Sequence, residues 1–158
     1  MYSNRISKIY NIPFISIGLW ERAFAGEIIY SIPGKTPCFE CFKGGSQKIV
    51  SSNRVNENRR FYSNEEHLED AQFEPGISVD INFVTEIGIK LIIDLLNRND
   101  NKYIPKLINH LTQFTLVCNT NDKRIGGNHS DLFSEPLQVT TTIELDYSDA
   151  CSACKINK

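Results

Sequence analysis

The sequence predicts an α/β domain: short strands, mixed or antiparallel, around one long buried helix, with both ends of the chain drawn together by cysteines. Three observations carry this prediction. Several β-branched apolar runs of strand length are set apart by Gly, Pro and Asn. Val79 to Leu96 keeps apolar residues at helical spacing without interruption by proline. Two Cys-x-x-Cys pairs, Cys38/Cys41 and Cys151/Cys154, lie at distant points of the chain.

The two pairs offer four thiolates, the number a closed tetrahedral zinc site needs. Spacing by two residues lets both sulfurs of a pair turn inward on a tight knuckle. The pairs are separated by 109 residues, whereas a self-contained zinc ribbon has about 15–20. The expected Zn2+ therefore staples the end of a domain to its beginning and plays a structural part. Two disulfides, or unrelated buried thiols, are the competing reading. A cytoplasmic chain with reduced thiols favours the metal. Cys118, the odd cysteine, falls in the apolar run Phe114-Thr115-Leu116-Val117-Cys118 and is expected to be a small buried hydrophobe.

The totals fit one domain over residues 1–158 with ordinary globular composition: 41% hydrophobic, 23% charged, net charge -2. Interspersed charge of near-zero balance speaks against general nucleic-acid binding. No apolar run approaches membrane-spanning length. The first ten residues carry Arg5 and Lys8 without an apolar core, so they are not expected to be a signal peptide.

Along the chain, Ser3 to Tyr10 has the character of a helix end. Ile12 to Gly18 forms a short buried strand, with Pro13 where a missing amide does least harm. A turn around Leu19 to Arg22 leads to a second strand, Ala25 to Ser31. The short connection predicts an antiparallel pair. Residues 43–76 form a long polar excursion, with a short acidic helix at residues 64–71. Ser78 is placed to cap the long helix and Asp80 favours its first turn. Gly88 in mid-helix costs about 1 kcal/mol relative to Ala, which implies close packing. Pro105 suits the first turn of a short helix reaching Leu111. Phe114 to Asn119 is the third strand, residues 119–135 a polar loop around Gly126-Gly127, and Leu137 to Leu145 the fourth strand.

Ile12-Pro13-Phe14-Ile15-Ser16-Ile17-Gly18, Gly26-Glu27 and Pro33-Gly34-Lys35-Thr36-Pro37-Cys38-Phe39-Glu40-Cys41 resemble the C-terminal half of the ThiF family. These are the ubiquitin-activating-enzyme-like adenylating proteins. Glu74-Pro75-Gly76-Ile77 ahead of the long helix resembles the family's next landmark, and Cys151-Ser152-Ala153-Cys154 its closing pair. The resemblance implies a partial Rossmann-like domain with Cys38, Cys41, Cys151 and Cys154 as zinc ligands. It also implies a role in activating the C-terminal carboxylate of a ubiquitin-like or sulfur-carrier protein, or of a peptide, with ATP and Mg2+.

Two departures temper that role. No Gly-x-Gly-x-x-Gly occurs in the chain. The family's nucleotide cradle, phosphate-binding Arg and magnesium-binding Asp belong to an N-terminal half that has no match here. The segment where thioester-forming members carry their cysteine, residues 42–76, holds none. The expectation is a portion inactive alone, or a non-enzymatic zinc-stapled module that binds a protein or peptide.

Trp20 and Arg22 follow the first strand at its carboxyl end, where open α/β sheets bind ligands. Trp20 can contact substrate or pack in the core. Arg22 can meet a carboxylate or phosphate, although a solvated ion pair is the plainer reading. Arg54, Arg59 and Arg60 read as a solvated loop that could guide an acidic partner, and His67, His110 and His129 share no metal or triad spacing. An incomplete sheet would expose apolar surface, so a homodimer, or docking to the absent N-terminal half, is expected.

Overall fold

The computed structural model describes residues 2–44, 75–141, 144–149 and 151–155. Helix α1 (Tyr2–Tyr10) precedes strands β1 (Phe14–Leu19) and β2 (Ala25–Ser31). Helix α2 (Phe39–Gly44), the long helix α3 (Ser78–Leu96) and strand β3 (Phe114–Cys118) follow. Helix α4 (Lys123–Gly126), strand β4 (Gln138–Thr141) and helix α5 (Ser152–Lys155) complete the order. Single 3-10 turns cover Glu21–Ala23 and Gly127–Leu132. No described helix is long and apolar enough to cross a membrane.

The strands lie in the order β1-β2-β3-β4, and every pairing is antiparallel. Phe14 stands opposite Ser31, Ala25 opposite Cys118, and Cys118 opposite Gln138. The α/β class is as expected.

Alternation along the strands splits the core into two layers. One face is aromatic, with Trp20, Phe24, Phe39, Phe42, Phe114 and Phe133 in one cluster. The other is aliphatic: Ile28 and Val117 pack with Val84 and Leu91 of α3, and Ile15, Ile17 and Leu19 join from β1. Expected as a buried strand, β1 is half-buried along its whole length. Among the described residues it pairs with β2 alone, so one of its edges has no neighbouring strand there.

Helix α3 forms where periodicity places it. Ile77, not Ser78, occupies the N-cap position, and no side chain caps the first turn. Asn97 closes the other end, its backbone and side-chain amides donating to the Ile93 carbonyl at 3.1 and 2.9 Å. Gly88 explains itself by position. A Cβ there would lie inside van der Waals contact of Ile17 Cδ1 and 2.9 Å from Ile17 Cγ1. Overpacking of this kind costs about 1–3 kcal/mol, against about 1 kcal/mol gained in helix propensity. Gly88→Ala should therefore lower the urea midpoint; a raised midpoint would show that Ile17 yields freely.

Residues 105–111 do not form the expected helix; they run as bends and turns. The amides of Lys106, Leu107 and Ile108 donate instead to the Asp94 carboxylate at 2.7–3.0 Å. A single turn follows, in which the His110 and Leu111 amides donate to the Leu107 carbonyl at 2.8 and 3.1 Å. The fourth strand is shorter than expected, Gln138–Thr141, and Leu145 packs in the aromatic layer outside it. The loop over residues 119–135 contains α4 and a 3-10 turn, with Asp122 accepting from the Arg124 amide at 2.8 Å as an N-cap. All but the ends of the excursion at 43–76 lies outside the described residues, together with the acidic helix at 64–71, His67, Arg54, Arg59 and Arg60.

Candidate metal centre

Both knuckles are set by backbone geometry. After β2 the chain turns at Ile32, whose carbonyl accepts from the Lys35 and Thr36 amides at 3.0 Å. Thr36 Oγ1 in turn accepts from the Ile32 amide at 2.7 Å. The buried Gln113 side chain fastens the lead-in by donating to the Tyr30 and Pro37 carbonyls at 3.1 and 3.0 Å. Cys38 then opens α2, its carbonyl accepting from the Cys41 amide at 3.0 Å. The second knuckle turns at Ser148, whose carbonyl accepts from the Cys151 amide at 3.0 Å.

These turns bring the four sulfurs together. Cys38 Sγ lies 3.9 Å from Cys41, 3.5 Å from Cys151 and 3.5 Å from Cys154, and Cys41 lies 3.4 Å from Cys154. All four ligand atoms fall within 4.8 Å of one another. A zinc tetrahedron with bonds of about 2.3 Å has edges of about 3.8 Å, close to this spacing. A disulfide needs about 2.05 Å, and all five cysteines are free. The competing disulfide reading does not match these separations. Cys38, Cys41 and Cys151 are buried and Cys154 partly so.

Electrostatics favours a cation at the centre. Burial raises the Cys38 thiol, but hydrogen bonds from Asn4, the Cys41 amide and the neighbouring thiols bring it down to about 7. Burial holds Cys151 and Cys154 above the ordinary thiol range, and the charge on Cys38 adds to it. Four thiols this close cannot all ionise unaided; a divalent ion would supply the missing positive charge.

The N-terminal helix reaches this centre. Helix α1 buries its polar residues Asn4, Ser7 and Lys8 and leaves Tyr2, Ile9 and Tyr10 exposed. Asn4 is fully buried. Its amide donates to Cys38 Sγ at 3.5 Å, and its carbonyl oxygen accepts from the Phe39 backbone at 3.1 Å. Arg5 links both knuckles, donating to Glu40 at 3.2 Å and to Ser152 at 3.1 Å, while Ser152 donates to Glu40 at 3.3 Å. Nothing in the local sequence marks these residues; only the packing of α1 does. Outer partners of metal ligands typically hold about 10–100-fold in affinity. Asn4→Ala should weaken zinc retention by that order in a chelator competition, and unchanged retention would assign Asn4 to packing alone.

Trp20 and Arg22 stand at the other end of β1 from the cysteines. Trp20 is 4% exposed, with its ring 5.8 Å from Phe24, 5.8 Å from His129 and 5.9 Å from Phe133. Arg22 is exposed. Arg22 and Ala23 both hold left-handed backbone, φ 50 and 54, which costs about 1–3 kcal/mol per residue and is maintained only where surroundings enforce it. Here Asn119 enforces it, its side chain donating to the Ala23 carbonyl and its backbone to the Phe24 carbonyl at 2.9 Å. Gly76 is the fitting neighbour: a Cβ there would stand 2.6 Å from that of Ala23. Cys118 is buried away from the cluster, 3.7 Å from the Pro136 carbonyl, as expected of a small hydrophobe. His110 is exposed and His129 half-buried.

No family model and no curated protein matches the sequence. Among solved structures, the chain is similar to MccB from E. coli, solved with ATP. The TM-score is 0.51 and the identity 15%, over 97% of this chain and 34% of that one. The chain thus spans about a third of that protein's length. At this identity the likeness speaks to fold alone, and it bears out the α/β class expected from the sequence; four cysteines gather at one end of the sheet.

Proposed function

We propose that this chain is the zinc-bearing portion of a ThiF-like adenylating protein, inactive by itself. In the complete assembly it would extend the sheet and help to hold the carboxylate-bearing substrate, a ubiquitin-like or sulfur-carrier protein or a peptide. The observation that carries this reading is the closed set of four thiols from both ends of a sheet whose fold resembles part of an ATP-bound protein. Four thiolates leave no open coordination position, so the zinc supplies structure rather than chemistry. Cys38, Cys41, Cys151 and Cys154 hold it, and Asn4 and Arg5 steady the two knuckles. Trp20, 4% exposed, takes the core-packing alternative, which leaves Arg22, exposed on its enforced turn at the carboxyl end of β1, as the substrate-facing candidate. ATP and Mg2+ would be bound by other polypeptide, since this sequence has no Gly-x-Gly-x-x-Gly turn.

The test is twofold. Elemental analysis should find about one zinc per chain, and ATP–pyrophosphate exchange should be absent from the chain alone. Exchange should appear when a polypeptide bearing a strand–Gly-x-Gly-x-x-Gly–helix unit, encoded beside it, is added. Robust exchange by the chain alone would overturn the division of labour.

One observation favours a second reading: the four gathered thiols and the sheet are present in a sequence without a Gly-x-Gly-x-x-Gly motif. On that reading the chain is a non-enzymatic module that docks a ubiquitin-like or peptide partner. Failure of every neighbouring polypeptide to restore exchange, with retained binding of such a partner, would select it.

A further inference from the structure

A cavity of about 490 Å3 opens between the lead-ins to the two knuckles. Lys35, Thr36 and Pro37 line it just ahead of Cys38, and Glu144 and Leu145 line it ahead of Cys151. Residues 109–113, which lead into β3, and Tyr30, near the end of β2, complete the wall. The cavity therefore lies at the cysteine end of the sheet, away from Arg22. Its volume is that of a small-molecule site, about 300–1,000 Å3.

Two buried side chains in this wall hold polar atoms that the fold does not use. Gln113 is 8% exposed and Tyr30 7%. Both Gln113 amide protons are committed, to the Tyr30 and Pro37 carbonyls at 3.1 and 3.0 Å. That fixes the side chain and leaves Gln113 Oε1 without a donor among the described residues. Tyr30 Oη likewise has no hydrogen-bond partner among them, and burial alone pushes its pKa up, so it stays protonated as a donor. A polar atom left unmet in so buried a residue costs free energy that a ligand can recover. At the rim, Lys35 and His110 are exposed, and neither side chain bonds to another described residue. Glu144 puts a negative charge on the same rim.

We propose that this cavity binds a free amino acid whose side chain is neutral and hydrogen-bonding. The buried wall asks for a group that both donates, to Gln113 Oε1, and accepts, from Tyr30 Oη. A primary amide does both at once, and a hydroxyl does both through one oxygen. The rim asks for a carboxylate, which Lys35 meets as a compact cation and His110 as a ring N–H donor. Phosphate is the poorer occupant. It carries more than one negative charge at neutral pH, has little proton to give Gln113, and meets the Glu144 carboxylate. An amino-acid zwitterion brings a single negative charge, and its ammonium suits a rim of mixed sign. The site is separate from Arg22, so either reading can fail without the other.

Calorimetric titration of the zinc-loaded chain with L-glutamine and with L-threonine tests this. At least one should bind with a dissociation constant of about 1 mM or below, within reach of a ligand of roughly ten heavy atoms. L-Norleucine matches glutamine in length but cannot bond to Gln113 or Tyr30, so it should bind at least about tenfold more weakly. Lys35→Ala and Tyr30→Phe should each weaken binding about tenfold. Both variants should melt as the parent chain does, since the atoms removed bond to nothing in the described fold. Absence of binding by both amino acids at about 10 mM would overturn the assignment. So would equal affinity for L-norleucine, or binding unchanged in both variants. Tighter binding of inorganic phosphate would also overturn it and give the cavity to another anion.

Discussion

Cys38→Ser is expected to abolish zinc binding and cooperative folding together. A closed structural zinc site contributes about 10–16 kcal/mol of apparent binding free energy in small zinc-finger peptides. A whole domain is stable by only about 5–15 kcal/mol. Here a bound metal would join α2 to α5, and α1 is fastened to both through Asn4 and Arg5. Loss of one ligand therefore releases the two ends of the chain, not a local loop. Thermal melting with and without a chelator measures the effect, and elemental analysis gives the metal content. Cys118→Ser is the matched control: its thiol is equally buried but stands outside the cluster, so zinc content should not change. A Cys38→Ser protein that kept one zinc and an unchanged melting temperature would remove the cluster from the account of stability.

Asp94 should show the second large effect. It is fully buried, yet its carboxylate accepts from Tyr103 Oη at 2.6 Å and from the amides of Lys106, Leu107 and Ile108. Burial alone would raise its pKa; these donors overcome burial and lower it to about 2, from an ordinary 3.8. The folded chain thus binds this proton less readily than the unfolded one. The stabilisation, about 2 kcal/mol by linkage, is complete above the ordinary pKa and is lost as pH falls through about 2. Asp94→Ala leaves four donors without a partner and should cost about 3–5 kcal/mol. Asp94→Asn keeps one acceptor oxygen and should fall between that variant and the parent chain. Urea unfolding at pH 7 and pH 3 is the measurement. The gap between the parent chain and Asp94→Asn should narrow at the lower pH; a constant gap would mean that the charge contributes nothing.

Some of this architecture was legible because its cause is local. Phe83, Ile87 and Leu91 repeat at helical spacing, so α3 forms wherever its apolar face finds cover. Short apolar, β-branched runs mark β2 and β3 as strands. Gly88 signalled close packing before the partner was known, since nothing else compensates its propensity cost. Asp94 shows the opposite case. Within the helical pattern it looked like one more position on the periodic face. Its partners lie 9 to 14 residues later in a segment with no period. Pro105 pointed to a helix there, and the segment makes only one turn, at Leu107 to Leu111.

The sequence by itself determined the donors of the metal centre. Cys-x-x-Cys spacing sets two sulfurs on one knuckle whatever surrounds them, and two pairs make a complete ligand set. Only the tertiary structure decided that the pairs meet, that Asn4 and Arg5 reach them from 34 or more residues away, and that β1 lies at an edge. These depend on which surfaces the folded chain brings together. Short-range spacing carries no information about that, because burial and hydrogen-bond satisfaction are settled over the whole domain at once.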